Sequence, residues 1–86
     1  MQIKFHKNFQ KRFKKLPPSL KAKTITAIKK FEKNPFGKEL KNHPLKGRLS
    51  GKRAFSVTGD LRVIFEEKDN YVLVIMLDLG THNQVY

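Results

Sequence analysis

The sequence predicts an α+β fold: a single domain over residues 1–86, in the order β-α-α-β-β-β, with an antiparallel sheet packed on an N-terminal helical hairpin. Three observations point there. Apolar residues recur at helical spacing across residues 7–33, they alternate or run continuously across residues 53–79, and prolines or glycines punctuate the changes of period. A chain of 86 residues buries only about 60–65% of its unfolded surface, enough for one modest core.

Gln2 to His6 alternates, with Ile3 and Phe5 on one side, and reads as a short first strand. His6 reads as a strand-end residue, because nothing else reactive surrounds it in sequence. Lys7 to Leu16 reads as a helix whose stripe is Phe9, Phe13 and Leu16. Pro17-Pro18 stops it, since proline disfavours helical geometry in the residue before it. Pro18 then suits the first turn of a second helix, where no amide donor is needed. That helix should run to about Lys33 on a stripe of Leu20, Thr24, Ala27, Ile28 and Phe31, and end at Asn34-Pro35.

Pro35 to Gly51 carries no period and reads as a long loop, pinned by Leu40, Leu45 and Leu49. Three strands follow. Arg53 to Thr58 alternates and turns at Thr58-Gly59-Asp60. Leu61 to Glu67 places Leu61, Val63 and Phe65 on one face and Arg62 and Ile64 on the other. Tyr71 to Leu79 is almost continuously apolar, as a central strand covered on both faces would be.

Nineteen Lys and Arg against seven Asp and Glu give a net charge of +12, spread along the chain. Such a field attracts polyanions and speeds their encounter, which favours a nucleic-acid or ribosome partner over a merely soluble surface. No cysteine is present, so disulfides and thiolate metal sites are excluded and a reducing cytoplasm is the expected compartment. The first residues lack the apolar segment of a secretory signal, and no run approaches membrane-spanning length. A membrane partner is therefore not expected.

Phosphate-loop, HExxH and paired-carboxylate motifs are absent, and the three histidines lie far apart in sequence. Neither a metal nor another cofactor is expected. What remains is a set suited to gripping phosphate and moving protons: His43, Asp60, Arg62 and His82, with Lys46, Arg48, Lys52 and Arg53 as phosphate-binding cations. RNA can be cut by its own 2′-hydroxyl if one group takes that proton, another protonates the leaving 5′-oxygen, and cations hold the phosphorane. Histidine, with a free pKa of about 6.5, suits either proton step, and arginine's planar fork suits phosphate. The residues leave open which group is base and which is acid. Tyr86 would either stack on a base or pack against the core.

His43-Pro44-Leu45-Lys46-Gly47, Gly51-Lys52-Arg53, Asp60-Leu61-Arg62-Val63-Ile64-Phe65 and Gly80-Thr81-His82 followed by Tyr86 together resemble the RelE/ParE superfamily of bacterial toxins, and most of all its YafQ branch. The order of helices and strands matches as well, so the resemblance covers nearly the whole chain. It implies a toxin of a type II toxin–antitoxin system, an endoribonuclease that cuts mRNA in the ribosomal A site and is held inactive by a cognate antitoxin. By position, His43 and His82 match the branch's cleavage histidines, Asp60 its acidic residue and Tyr86 its closing aromatic. Arg62 falls where RelE-like members have a phosphate-binding arginine. Two positions depart from the branch: Ser56 stands where it carries a further histidine, and Leu61 where it carries a tryptophan. No further helix is expected after the last strand.

Two other functions compete. A ParE-like toxin would poison DNA gyrase without cutting RNA, since a shared fold does not fix function; the histidine in Gly80-Thr81-His82 favours the nuclease. A degenerate, non-toxic relative is the other, and Ser56 is its argument. The antitoxin should lay a helix or an extended segment with acidic residues over the basic face.

Overall fold

The computed structural model describes residues 1–86. One five-stranded sheet runs in the order β1-β5-β4-β3-β2, built from β1 (Gln2–Phe5), β2 (His43–Pro44), β3 (Arg53–Ser56), β4 (Arg62–Lys68) and β5 (Leu73–Gly80). Helices α1 (Lys7–Lys14) and α2 (Pro18–Lys33) form the expected hairpin, and a one-turn helix, α3 (His82–Val85), follows β5.

The α2 stripe is buried as its spacing requires. Thr24, Ala27 and Phe31 are buried, and Leu20 and Ile28 pack beside them. Thr24 is tolerated there because its hydroxyl donates to the Leu20 carbonyl at 2.8 Å. Phe31 meets Phe55 and Phe65 from the sheet at 4.6 and 4.9 Å between centroids. Together with Phe9, Leu61, Val63, Val74, Met76 and Leu79 they make the main core, on the helix-bearing face. Helix α1 stops two residues short of the sequence expectation. Lys15 and Leu16 close it with tighter bonds to Arg12 and Phe13, the usual fraying of a last turn.

Several expectations are corrected. The sheet is mixed rather than wholly antiparallel, because β1 pairs in parallel with β5. β5 needs hydrogen-bond partners along both edges; β4 satisfies one through a hairpin, and only β1 can satisfy the other. His43 and Pro44, read as loop, pair with Ala54 and Arg53 at the sheet's outer edge, a position where proline costs no ladder bond. Tyr71 belongs to a turn and not to the last strand. Asp69, Asn70 and Tyr71 all adopt positive φ (55°, 57° and 69°), and Tyr71 turns its ring toward Phe31, Phe36 and Phe65. The far face of β5 is only partly covered, with Leu73, Ile75 and Leu77 half-buried. At its Leu77 end the cover is α3, the element the sequence did not predict.

Candidate functional site

The face opposite the hairpin is organised by register. His43, Ala54, Ile64 and Asp78 lie opposite one another across four strands, and Ser56, Arg62 and Gly80 form the next row. Cross-strand partners share a face, so His43, Ser56 and Arg62 all belong to the open side. Arg62 therefore faces away from the helices, as the alternation of β4 required.

Helix α3 folds back over these rows. Val85 is buried with Ala54 and Ile64, and Tyr86, Leu45 and Leu77 pack around them. Gly80 allows the reversal. A methyl group there would come within 2.8 Å of Gln84 Oε1 and 2.9 Å of Arg12 Nη1. Gln84 Oε1 accepts the Thr81 N–H at 2.8 Å, tying the start of the helix. Arg12, on α1, holds the other side: its Nε lies 3.1 Å from Asp78 Oδ1 and its Nη2 donates to the Gln84 carbonyl at 3.3 Å.

This places His82, Tyr86, Arg62 and Arg48 together. The His82 ring stands edge-on to Tyr86, with centroids 4.5 Å apart and planes at 83°. The Arg62 guanidinium carbon lies 5.8 Å from the Tyr86 ring centre, within cation–π range. Arg48 Nη2 donates to the main-chain oxygen of Tyr86 at 2.6 Å. Arg62 Nε and the Tyr86 hydroxyl are both buried and make no hydrogen bond within the protein. His43 stands on the same face at the sheet's edge. Its Nδ1 lies 2.8 Å from the Lys41 carbonyl, which can only accept, so Nδ1 carries a proton and Nε2 of the neutral ring is left with its lone pair.

The other sequence-predicted residues divide. Asp60 sits in the exposed turn before β4, with its main-chain N–H on Thr58 Oγ1 at 3.3 Å and its carboxylate in no ion pair. Lys46 is exposed before the turn Gly47–Leu49, and Lys52 is half-buried just before β3. Arg53, also expected to clamp phosphate, lies apart from them. It pairs with Phe65, a residue of the main core, and so faces the helix side. There its Nε donates to Asn42 Oδ1 at 2.8 Å and its guanidinium covers Phe36 at 5.8 Å. Leu61 is likewise a core residue on that side. No three His, Asp or Glu side chains form a group that could hold a metal ion.

Arg12 and Gln84 were not legible as site residues. Arg12 reads as one more cation on the polar face of α1, and only the position of α3 reveals its task.

No curated protein matches the chain significantly by sequence. Among solved structures it is similar to a YoeB/ParE toxin from Agrobacterium tumefaciens (TM-score 0.78, 16% identity, covering 95% of this chain and 99% of that one). It is similar also to YafQ from E. coli strain BL21(DE3) (0.73, 22%, 99% and 97%) and to a chain of the E. coli DinJ–YafQ complex (0.70, 24%, 99% and 97%). These likenesses establish the RelE/ParE toxin fold. The profile of one family, described as the bacterial toxin YafQ of type II toxin–antitoxin systems, matches residues 1–86, and with its full length matched the chain belongs to the YafQ family of type II toxins.

Proposed function

We propose that residues 1–86 act as one toxin domain that cuts mRNA in the ribosomal A site, in the cytoplasm, without a metal ion, and that a cognate antitoxin restrains it. The observation that carries this reading is the meeting of His82, Tyr86, Arg62 and Arg48 on the face that also bears His43.

In the proposed reaction His43 Nε2 takes the 2′-hydroxyl proton, a role supported by the tautomer that Lys41 imposes. The 2′-oxygen bonds to phosphorus, the bond from phosphorus to the 5′-oxygen breaks, and protonated His82 gives its proton to that oxygen. A 2′,3′-cyclic phosphate and a free 5′-hydroxyl result. Arg62 and Arg48 hold the negative charge that gathers on the phosphorane. Lys46 and Lys52 bind flanking phosphates. Asp60 makes no hydrogen bond or ion pair with either imidazole and is assigned no proton transfer; Tyr86 stacks against a base while fixing His82 edge-on. With Ser56 in the Arg62 row, proton transfer falls to the remaining groups.

An antitoxin partner is supported by the family and by a relative solved with DinJ. A further feature supports it: an apolar groove of about 450 Å³ between α1 and α2, lined by Phe5, Phe9, Phe13, Ile25 and Ile28. Phe5 and Ile25 are 42% and 45% exposed there. No helix is long and apolar enough to cross a membrane.

The test is brief induction followed by mapping of mRNA 5′ ends, wild type against His82→Ala. Cleavage within messages that the variant abolishes, and that survives EDTA in a reconstituted translation system, is the expected result. DNA damage with intact messages would assign the chain to gyrase poisoning instead.

A further inference from the structure

The open face carries a second recess, which shares Arg48 and Lys52 with the proposed cleavage site and adds His6. It holds about 220 Å³ and is floored by Ile64, Leu77 and Val85. By strand order Lys52 and Arg48 come from the β3 side of the recess and His6 from the β1 side. Arg48 belongs to both regions, since it also donates to the main-chain oxygen of Tyr86.

His6 brings a fixed donor. Its Nδ1 accepts the main-chain N–H of Asn8 at 3.1 Å and so caps α1. In the neutral ring the proton must then be on Nε2. Asp78 also lines the recess, but its Oδ1 is engaged by Arg12 and by the Leu79 N–H. Its charge is thereby matched, and Oδ2 remains able to accept from an amino group.

We propose that this recess is a nucleobase subsite for the RNA nucleotide next to the scissile pair, and that His6 is one of its binding residues; the proposal rests on the RNA-cleaving reading above. The volume is below the roughly 300–1,000 Å³ of sites that enclose a whole small molecule. It admits a base against the apolar floor and leaves the sugar and phosphate outside, where Lys52, Arg48 and the His6 donor reach them. Continuity through Arg48 sets the direction of the strand, from the His82–Tyr86 region toward His6.

The test uses His6→Asn, because asparagine can still cap α1 but has no group at the place of Nε2. The probe is an uncleavable 2′-O-methyl adenosine pentanucleotide, whose amino groups Asp78 can accept, compared with the dinucleotide by fluorescence anisotropy. His6→Asn should weaken the pentanucleotide about 3- to 10-fold, the effect of one hydrogen bond to a polar ligand, and should have no effect on the dinucleotide. Lys52→Ala should lower the log–log salt slope for the pentanucleotide by about 0.7, as one lost phosphate contact does. Equal affinities of His6→Asn and wild type for the pentanucleotide, or equal losses at both lengths, would overturn the subsite. Failure of wild type to cleave messages would instead bring down the nuclease reading, and the subsite with it.

Discussion

Arg62 and Tyr86 share a buried boundary: the guanidinium lies 5.8 Å from the ring centre, while Arg62 Nε and the Tyr86 hydroxyl are both enclosed without a hydrogen-bond partner in the protein. Buried polar atoms of this kind cost stability, and a functional role accounts for their retention. The two residues should therefore respond differently to removal of their polar atoms. Tyr86→Phe removes an unmatched hydroxyl, keeps the ring against His82, and should leave toxicity intact with stability unchanged or raised by up to about 1 kcal/mol. Arg62→Ala should lower cleavage by about 100- to 1,000-fold, the usual effect of losing one charge-stabilising group. Growth arrest, 5′-end mapping and thermal unfolding of the purified variants check both.

Arg12 acts on the site through α3 and not on the RNA. Its contact with Asp78 is partly exposed, so Arg12→Ala should cost only about 0.5–1 kcal/mol in unfolding. Activity should fall further than that loss explains, because the tie to the Gln84 carbonyl goes with it. Faster amide hydrogen exchange confined to residues 82–86 is the expected signature, and an unchanged exchange pattern would contradict it.

Gly80→Ala tests the same hinge from the other side. The added methyl group would meet the flexible ends of Gln84 and Arg12, which can move aside. It would also press on Gln84 Cβ at 3.0 Å, so that α3 itself must shift by a few tenths of an ångström. The ties the two side chains make to α3 cannot survive that movement. Cleavage should therefore drop at least about tenfold while denaturant stability changes by about 1 kcal/mol or less.

Arg53 should behave as a structural residue. Arg53→Ala removes the bond to Asn42 and the cover over Phe36, and should cost about 1 kcal/mol of stability. Cleavage per folded molecule should be retained. A loss of activity comparable to that of Arg62→Ala would return Arg53 to the site.

The antitoxin's apolar anchorage is testable at Ile25, which is exposed on α2 and lines the groove against Phe5 and Phe9. Ile25→Glu should leave folding and toxicity unaffected and weaken antitoxin binding by about tenfold or more, as removal of an apolar anchor does. Isothermal titration with the purified antitoxin, or loss of rescue on co-expression, gives the measurement.

Much of this protein was legible from residue order. The spacing of Leu20, Thr24, Ala27 and Phe31 specifies α2 and its buried stripe, because helical geometry leaves those positions on one side. Alternation in Leu61–Phe65 assigns Arg62 to the face away from the helices. The motif residues carry the resemblance to the YafQ toxins, and the family match over residues 1–86 establishes that membership. What periodicity could not supply is pairing between distant segments. That β1 lies parallel to β5, that His43 joins an edge strand, and that Arg53 looks toward the core all follow from register, which is a property of partners and not of one segment. The return of α3 over Ala54 and Ile64 is the largest such effect. A four-residue helix has too little internal hydrogen bonding to form alone, so it exists only because Val85 and Tyr86 find an apolar floor and Arg12 and Gln84 fasten it there. Sequence determined which side chains this chain has for holding phosphate and moving protons; the tertiary contacts of α3 decided which of them meet.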